Sequence, residues 1–200
     1  MRILVTGGAG YIGSHTVIEL VKAGYDVVVA DNFVNSCMEA VNRTRKLCGV
    51  DFPFVKIDLT DYAATDELFD KYHIDAIIHF AGLKAVGESC RIPMEYYKNN
   101  LDSTLSLLAA MKKHDVKNFI FSSSATVYGE DAPVPYNEAT PVSRCASSPY
   151  GNTKLMIEYI LKDCVKAIPA STRCCCAIST LSARMRAARS ARTRPVSRIT

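Results

Sequence analysis

Short apolar runs recur along the chain at Ile3-Leu4-Val5, Val27-Val28-Val29-Ala30, Phe54-Val55-Lys56-Ile57, Ala76-Ile77-Ile78-His79-Phe80 and Phe119-Ile120-Phe121. A continuous run such as Val27–Ala30 suits a parallel strand buried on both faces. Between the runs lie amphipathic helical patterns. Tyr11 to Ala23 predicts a first helix, with Ile12, Thr16, Val17, Leu20 and Val21 toward the sheet and Gly24 as its C-terminal cap. Further helices are predicted from about Met38 to Leu47, from a Thr60 or Asp61 cap to about Tyr72, from Pro93 to about His114, and from about Tyr150 to Ala167. On the long fourth helix Leu101, Leu105, Leu108 and Met111 form one stripe. A proline-rich loop occupies residues 132–149. Strands alternating with helices predict an α/β fold, a doubly wound parallel sheet of the Rossmann type.

The first strand runs into Thr6-Gly7-Gly8-Ala9-Gly10-Tyr11-Ile12-Gly13 and then into the first helix. Glycines at 7, 10 and 13 give the spacing G-x-x-G-x-x-G. Gly7 permits the tight turn out of the strand. Gly10 permits close approach of a pyrophosphate. Gly13 permits close packing of the helix. The helix N-terminus offers its N–H groups and positive dipole end to the phosphates. Strand before and helix after are the context a dinucleotide motif needs. The sequence contains no G-x-x-x-x-G-K-[ST], so a mononucleotide P-loop is not indicated.

Asp31 closes the second strand, 18 residues after Gly13. An acid here is placed to bind the adenosine ribose hydroxyls and to repel a 2′-phosphate, which favours NAD over NADP. Asp58 closes the next strand on the same sheet edge, with helix capping as its other reading. Tyr150 and Lys154 stand four residues apart, on one face of a helix. An adjacent cation is expected to lower the phenol pKa and make Tyr150 a general base. Ser122-Ser123-Ser124 ends the fifth strand, where a serine can hold a substrate hydroxyl.

The 200 residues suit one domain, or one domain and a fragment of another. No 18-residue apolar run and no exported-protein signal is visible, so a soluble, cytoplasmic chain is expected. The eight cysteines include no C-x-x-C pair, which points to free thiols and to no metal site. The net charge of +4 hides an asymmetry. Seven arginines lie within residues 173–200; the remainder carries 17 basic against 20 acidic residues.

Taken together, the motifs resemble the extended short-chain dehydrogenases/reductases, and within them the UDP-hexose 4-epimerase family. The matching stretches are Thr6–His15, Asp31-Asn32 with Asn35-Ser36, Asp58-Leu59, the run His79-Phe80-Ala81-Gly82-Leu83-Lys84-Ala85-Val86-Gly87-Glu88-Ser89, Tyr96–Asn100, Phe121–Gly129 and Ser148–Leu155. The resemblance covers about residues 1–168. It implies exchange of UDP-glucose and UDP-galactose through transient hydride transfer to bound NAD. It implies that Tyr150 takes the proton of the sugar 4-hydroxyl, that Ser124 holds that hydroxyl, and that Lys154 tunes Tyr150 and binds the nicotinamide ribose. It also implies an NAD site lined by Gly7, Gly10, Tyr11, Ile12, Gly13, Asp31, Asn32, Asn35, Ser36, Asp58, Leu59, Phe80, Ala81, Lys84 and Asn99, together with Tyr150 and Lys154. The UDP-hexose is the implied partner, with a homodimer through the helices after the third and fourth strands. Ala125-Thr126 stands where nucleotide-sugar dehydratases carry Asp-Glu, which disfavours dehydration. Another NAD-dependent nucleotide-sugar epimerase, or a non-catalytic NAD-binding fragment, remains as an alternative.

The family pattern stops after about Ala167, giving a nucleotide-binding region over residues 1–168 and a tail over 169–200. The family's further apolar strand, its Arg-Tyr-Phe-Asn-Pro-like loop and its C-terminal substrate domain are not recognisable. Residues 168–200 contain no Gly, Lys, Asp, Glu or aromatic residue. No strand pattern is legible there, and the tail is expected to be disordered or read out of frame. An exposed sheet edge and poor solubility are expected in consequence. The competing reading is an arginine-rich segment that binds nucleic acid or an acidic partner, although nucleic acid is not the expected partner.

Overall fold

The computed structural model describes residues 1–128, 136, 140–143 and 145–167, and the backbone of 173–178. Strands β1 (Arg2–Thr6), β2 (Asp26–Asp31), β3 (Phe54–Lys56), β4 (Ala76–His79), β5 (Asn118–Ser123) and β6 (Arg173–Ile178) alternate with helices α1 (Tyr11–Lys22), α2 (Met38–Cys48), α3 (Tyr62–Tyr72), α4 (Val86–Ser89), α5 (Pro93–Lys113) and α6 (Pro149–Ala167). The strands form one parallel sheet in the order β3-β2-β1-β4-β5-β6. This is the doubly wound arrangement expected, and the order reverses between β1 and β4.

Successive residues of β1 to β4 feed two separate cores, while β5 gives Phe119 and Phe121 to one of them and leaves Ile120 exposed. Leu4, Val28, Ala30, Ile77, Phe119 and Phe121 pack with Leu68, Phe69, Leu107, Met111, Ile157 and Leu161 from α3, α5 and α6. Ile3, Val5, Val27, Val29, Ala76 and Ile78 pack with Val17 and Val41 from α1 and α2. A side-chain period of two on strands covered by helices on both faces explains why their sequences read as unbroken apolar runs.

The helix ends follow local chemistry. Asp61, rather than Thr60, caps α3: its Oδ1 accepts the N–H groups of Ala63 and Ala64 at 3.0 and 3.1 Å. Gly24 adopts φ +82°, and the Gly24 and Tyr25 N–H groups return to the carbonyls of Val21 and Leu20. That paired closure needs a left-handed residue after the helix, which glycine supplies without strain.

Two expectations are corrected. The stripe foreseen on α5 holds for Met111, which is buried, and for Leu101 and Leu108, which pack against the core, but not for Leu105, which is 37% exposed; Leu107 and Ala110 are buried in addition, with Asn100, Ser103, Thr104 and Ser106. Small polar residues sit inside because local acceptors take their hydroxyls. Ser103 and Thr104 donate to the Asn100 carbonyl, and Ser106 donates to the carbonyls of Leu59 and Ser103. The second correction is β6. Arg173–Ile178 pairs in parallel with β5, from Asn118↔Arg173 to Ser123↔Ile178, although no strand was legible in that stretch. The exposed edge expected beside β5 is therefore covered along those six residues.

Leu107→Ala should lower stability by roughly 2–5 kcal/mol through lost burial and the cavity left behind. Leu105→Ala should stay within about 0.5 kcal/mol. Urea midpoints at unchanged m would check the pair; equal losses would contradict the buried face assigned to α5.

Candidate active site

The loops leaving the C-terminal ends of β1 to β5 converge on one cleft of about 600 Å³. Crevices of this kind form where the order of a parallel sheet reverses. Each of the eighteen positions singled out in the sequence lines it: Gly7, Gly10, Tyr11, Ile12 and Gly13 after β1, Asp31, Asn32, Asn35 and Ser36 after β2, Asp58 and Leu59 after β3, Phe80, Ala81 and Lys84 after β4, Ser124 after β5, Asn99 on α5, and Tyr150 and Lys154 on α6.

At the glycine turn, backbone meets backbone. Gly7 has φ +65°, and a Cβ there would lie 2.7 Å from the Ala81 nitrogen. A Cβ at Gly13 would lie 2.4 Å from the Gly7 carbonyl oxygen and 2.7 Å from the Gly8 Cα. Gly13 thus seats α1 directly on the turn. No side chain caps α1 at Gly10, and its first turn carries no acid. A helix start left in this condition has N–H groups suited to an anion.

Asp31 is buried at the cleft wall, held from three directions. Its Oδ2 accepts the Ala9 N–H at 3.1 Å; its Oδ1 accepts the Phe33 N–H at 2.9 Å and the Ser36 hydroxyl at 2.7 Å. Phe33 holds φ +65° and stacks on Phe54 at 4.9 Å between ring centroids. Asp58 closes an Asx turn, accepting the N–H and hydroxyl of Thr60. The capping role belongs to Asp61 instead.

Tyr150 and Lys154 lie on one face of α6, against β5. Lys154 is buried; its ammonium donates to the Ser122 carbonyl at 3.0 Å and lies 4.6 Å from the Phe121 ring centroid. Burial pulls its pKa down to about 8. Tyr150 departs from the sequence expectation. Its pKa is raised above 10, chiefly by burial, while the hydrogen bond with Ser124 acts in the lowering direction. The ammonium is engaged at Ser122 and lies 5.9 Å from the Tyr150 ring centroid, so desolvation of the phenol dominates. Ser124 is itself fixed by Thr126, whose N–H and hydroxyl both reach the Ser124 oxygen, at 3.3 and 3.0 Å.

Several residues that organise this cleft lie in the stretches that carry the family resemblance but were given no role from the sequence. Asn100 is buried between the β4–α4 loop and α6. Its Oδ1 accepts the Leu83 N–H at 2.8 Å, and its Nδ2 donates to the Leu83 carbonyl and to Thr153 Oγ1, both at 3.0 Å. Thr153 passes its own proton to the Tyr150 carbonyl at 2.7 Å. One amide therefore ties the β4 loop to the helix carrying Tyr150 and Lys154. His79 lies beneath. Thr104 commits its proton to the Asn100 carbonyl, so it accepts from His79 Nε2; Nδ1 then accepts from Thr6. Burial first, and the Lys154 charge second, hold the His79 pKa at about 3, so the ring stays neutral. Tyr96 joins Glu88 and the Ala85 N–H, and burial with the Glu88 bond pushes its pKa up to about 12. A buried asparagine between Asn99 and Leu101 on a helix carries no distinctive sequence signal. Its partners become apparent only in three dimensions.

Away from the cleft, Asp66, Asp70 and His114 stand close together. Asp66 is already bound by the Lys113 ammonium and the His114 ring, so the group links α3 to α5 as an ion-pair network. Among the described residues Cys48, Cys90, Cys145 and Cys164 are free thiols, and no helix is long and apolar enough to cross a membrane.

A nucleotide cradle, an acid at the second strand and a Ser–Tyr–Lys group at one sheet edge define a Rossmann-type site. Residues 3–194 match the model of the NAD dependent epimerase/dehydratase family, and the chain belongs to that family. Among curated relatives it is 56% identical over 169 residues to a UDP-glucose 4-epimerase of Erwinia amylovora, covering 84% of this chain and 50% of the relative. It is 55% identical over 163 residues to that of Bacillus subtilis, covering 82% and 48%. Among solved structures, the UDP-glucose 4-epimerase of Bifidobacterium longum in complex with NAD+ and UDP superposes with a TM-score of 0.85 at 49% identity, over 88% of this chain and 52% of that one. The chain thus spans about half the length of these relatives.

Two outcomes test the site. Asn100→Ala should cost roughly 1–3 kcal/mol by leaving buried partners unpaired; a urea midpoint equal to that of the unaltered chain would count against the clamp. Lys154 is charged more readily unfolded than folded, so the unfolded state binds more protons between pH about 8 and 10.5. Relative to Lys154→Met, the unaltered chain should therefore gain stability as pH rises through that window. A flat difference would contradict the depressed pKa.

Proposed function

We propose that this chain carries the nucleotide-binding and proton-transfer half of a UDP-glucose 4-epimerase, with NAD held in the cleft. The observation that carries this reading is the convergence of the glycine turn, Asp31 and the Ser124–Tyr150–Lys154 group on one sheet edge. The fit to NAD rests on the cradle itself: space at Gly10, an uncapped α1 start for the pyrophosphate, and a buried carboxylate for the ribose. The Asp31 charge disfavours a 2′-phosphate at that place.

NAD held by the glycine turn, Asp31 and Lys154 would supply reversible hydride acceptance for the sugar carbon that bears the 4-hydroxyl. The residues of the chain do the rest. Ser124, oriented by Thr126, holds the 4-hydroxyl. Tyr150 takes the hydroxyl proton as the carbonyl forms and gives it back as the alcohol is remade. Lys154 binds the nicotinamide ribose, and its charge favours the phenolate against the burial that raises Tyr150. Ala125 and Thr126 supply no carboxylic acid for dehydration.

The substrate is proposed as UDP-glucose and UDP-galactose, and the location as cytoplasmic. A homodimer through α3 and α5 is proposed with them; Tyr62 and Leu105 leave apolar surface on those helices. The two regions, 1–168 for nucleotide binding and 169–200 as a tail of different origin, are part of the same reading. A cleft built from this portion alone admits water and grips the UDP weakly.

Calorimetry should find NAD bound weakly and NADP bound about tenfold more weakly still, a difference of roughly 1.4 kcal/mol. Asp31→Asn should narrow that gap. UDP-galactose should be turned over little or not at all by the 200-residue chain. Folded chain that ignores millimolar NAD would refute the nucleotide site; brisk turnover insensitive to Tyr150→Phe would refute the assignment of the base.

A further inference from the structure

The sheet and the genetic code together carry an inference about the tail. β6 lies in register with β5, placing Cys174, Cys175 and Cys176 opposite Phe119, Ile120 and Phe121. In register with Cys174–Cys176 stand Ile77-Ile78-His79 in β4, Leu4-Val5-Thr6 in β1 and Val28-Val29-Ala30 in β2, with a large branched residue at the first two positions of each. Parallel strands covered by helices are built from such residues. Arg173-Cys174-Cys175-Cys176-Ala177-Ile178 departs from that rule at the point where the composition of the chain also changes.

Cysteine is encoded by TGT or TGC alone. Three in a row, read in the frame that begins on the third base of each codon, spell Leu-Leu whichever codons are used. The codon that overlaps the start of Cys174 ends in TG and spells Leu, Met or Val. One base inserted ahead of the Cys174 codon therefore turns Cys174–Cys176 into three large apolar residues at the same strand positions. The same shift restores the residue classes that the tail lacks. Ile178, Thr180, Met185, Thr193, Ile199 and Thr200 have codons beginning AT or AC. Out of step by one base, each yields Tyr, His, Asn or Asp and nothing else, unlike any residue now present between 168 and 200. Met185-Arg186 yields Ala or Glu, and Ala187-Ala188 admits Gly. The last base of the Cys176 codon and the five codons from Ala177 to Leu181 admit Arg-Tyr-Phe-Asn-Pro, the loop that the family resemblance implies.

We infer that residues 174–200 are the reading of a segment one base out of frame, and that its in-frame reading supplies an apolar sixth strand and a polar, aromatic-bearing loop after it. The inference extends the proposed function but concerns coding alone, so its test holds or fails independently of activity.

The test is the genomic sequence of the source across the codons for residues 160–200, with peptide mass spectrometry of the protein from the same cells. The expected result is one base more than this chain implies at or just before the Cys174 codon, with a frame that stays open past the Thr200 position. Tryptic peptides should then contain an apolar-Leu-Leu run after residue 173. Genomic DNA that reproduces the present frame overturns the inference. So does a stop codon in the neighbouring frame before the Thr200 position, or detection of the tryptic peptide Cys174–Arg184.

Discussion

Contact between the backbone at Gly13 and the backbone at Gly7 is the constraint on which the rest of this molecule depends. No side chain fits between them, since even a methyl at Gly13 would lie 2.4 Å from a carbonyl oxygen. The contact draws α1 down onto the end of β1 and brings its uncapped start to the sheet edge. β1 is also the strand flanked by both β2 and β4, where the order of the sheet reverses. The loops after β2 and β4 consequently open on either side of that helix start. The glycine turn, the buried Asp31 and the helix carrying Tyr150 and Lys154 become neighbours because one close approach is allowed.

Holding those neighbours in place requires burying polar groups, and the structure does so only where each finds a partner. Asn100 spans the β4 loop and α6, His79 is satisfied by Thr6 and Thr104, and Asp31 accepts three hydrogen bonds. Lys154 is the costly exception. Its ammonium has a carbonyl and an aromatic face but, among the described residues, no carboxylate against it, and its pKa falls to about 8. A cation kept under that strain is poised to be useful to an anion forming beside it. Tyr150, raised by the same burial, is the group that needs such help. The two displaced pKa values are thus two aspects of one desolvated pocket, not independent features.

The order of strands and helices was legible from the chain because burial on both faces leaves unbroken apolar runs, and glycine spacing leaves a mark that does not depend on distant residues. Gly7, Gly13, Asp31 and the Tyr150–Lys154 pair were found on that basis. The α5 stripe was misread because periodicity weighs leucine above serine and threonine. Ser103, Thr104 and Ser106 are admitted to the interior by hydroxyl bonds to nearby carbonyls, which no periodicity records. β6 was missed because Arg173–Ile178 carries an arginine and three cysteines where the other strands carry branched or aromatic residues; it pairs along the ladder of β5.

Alone, then, the sequence determined the fold class, the nucleotide turn and the identity of the candidate catalytic side chains, since these depend on local spacing and on which residue types can turn tightly or titrate. Tertiary structure decided the rest. It chose Asp61 over Thr60 as the cap, set Ser36 and Ala9 on Asp31, placed Thr126 behind Ser124, and made Asn100 the tie between the β4 loop and α6. It also reversed the expected direction of the Tyr150 shift. Hydrogen bonds and desolvation depend on which distant groups share a small volume, and that is decided only when the sheet brings residues 6, 79, 100 and 150 together.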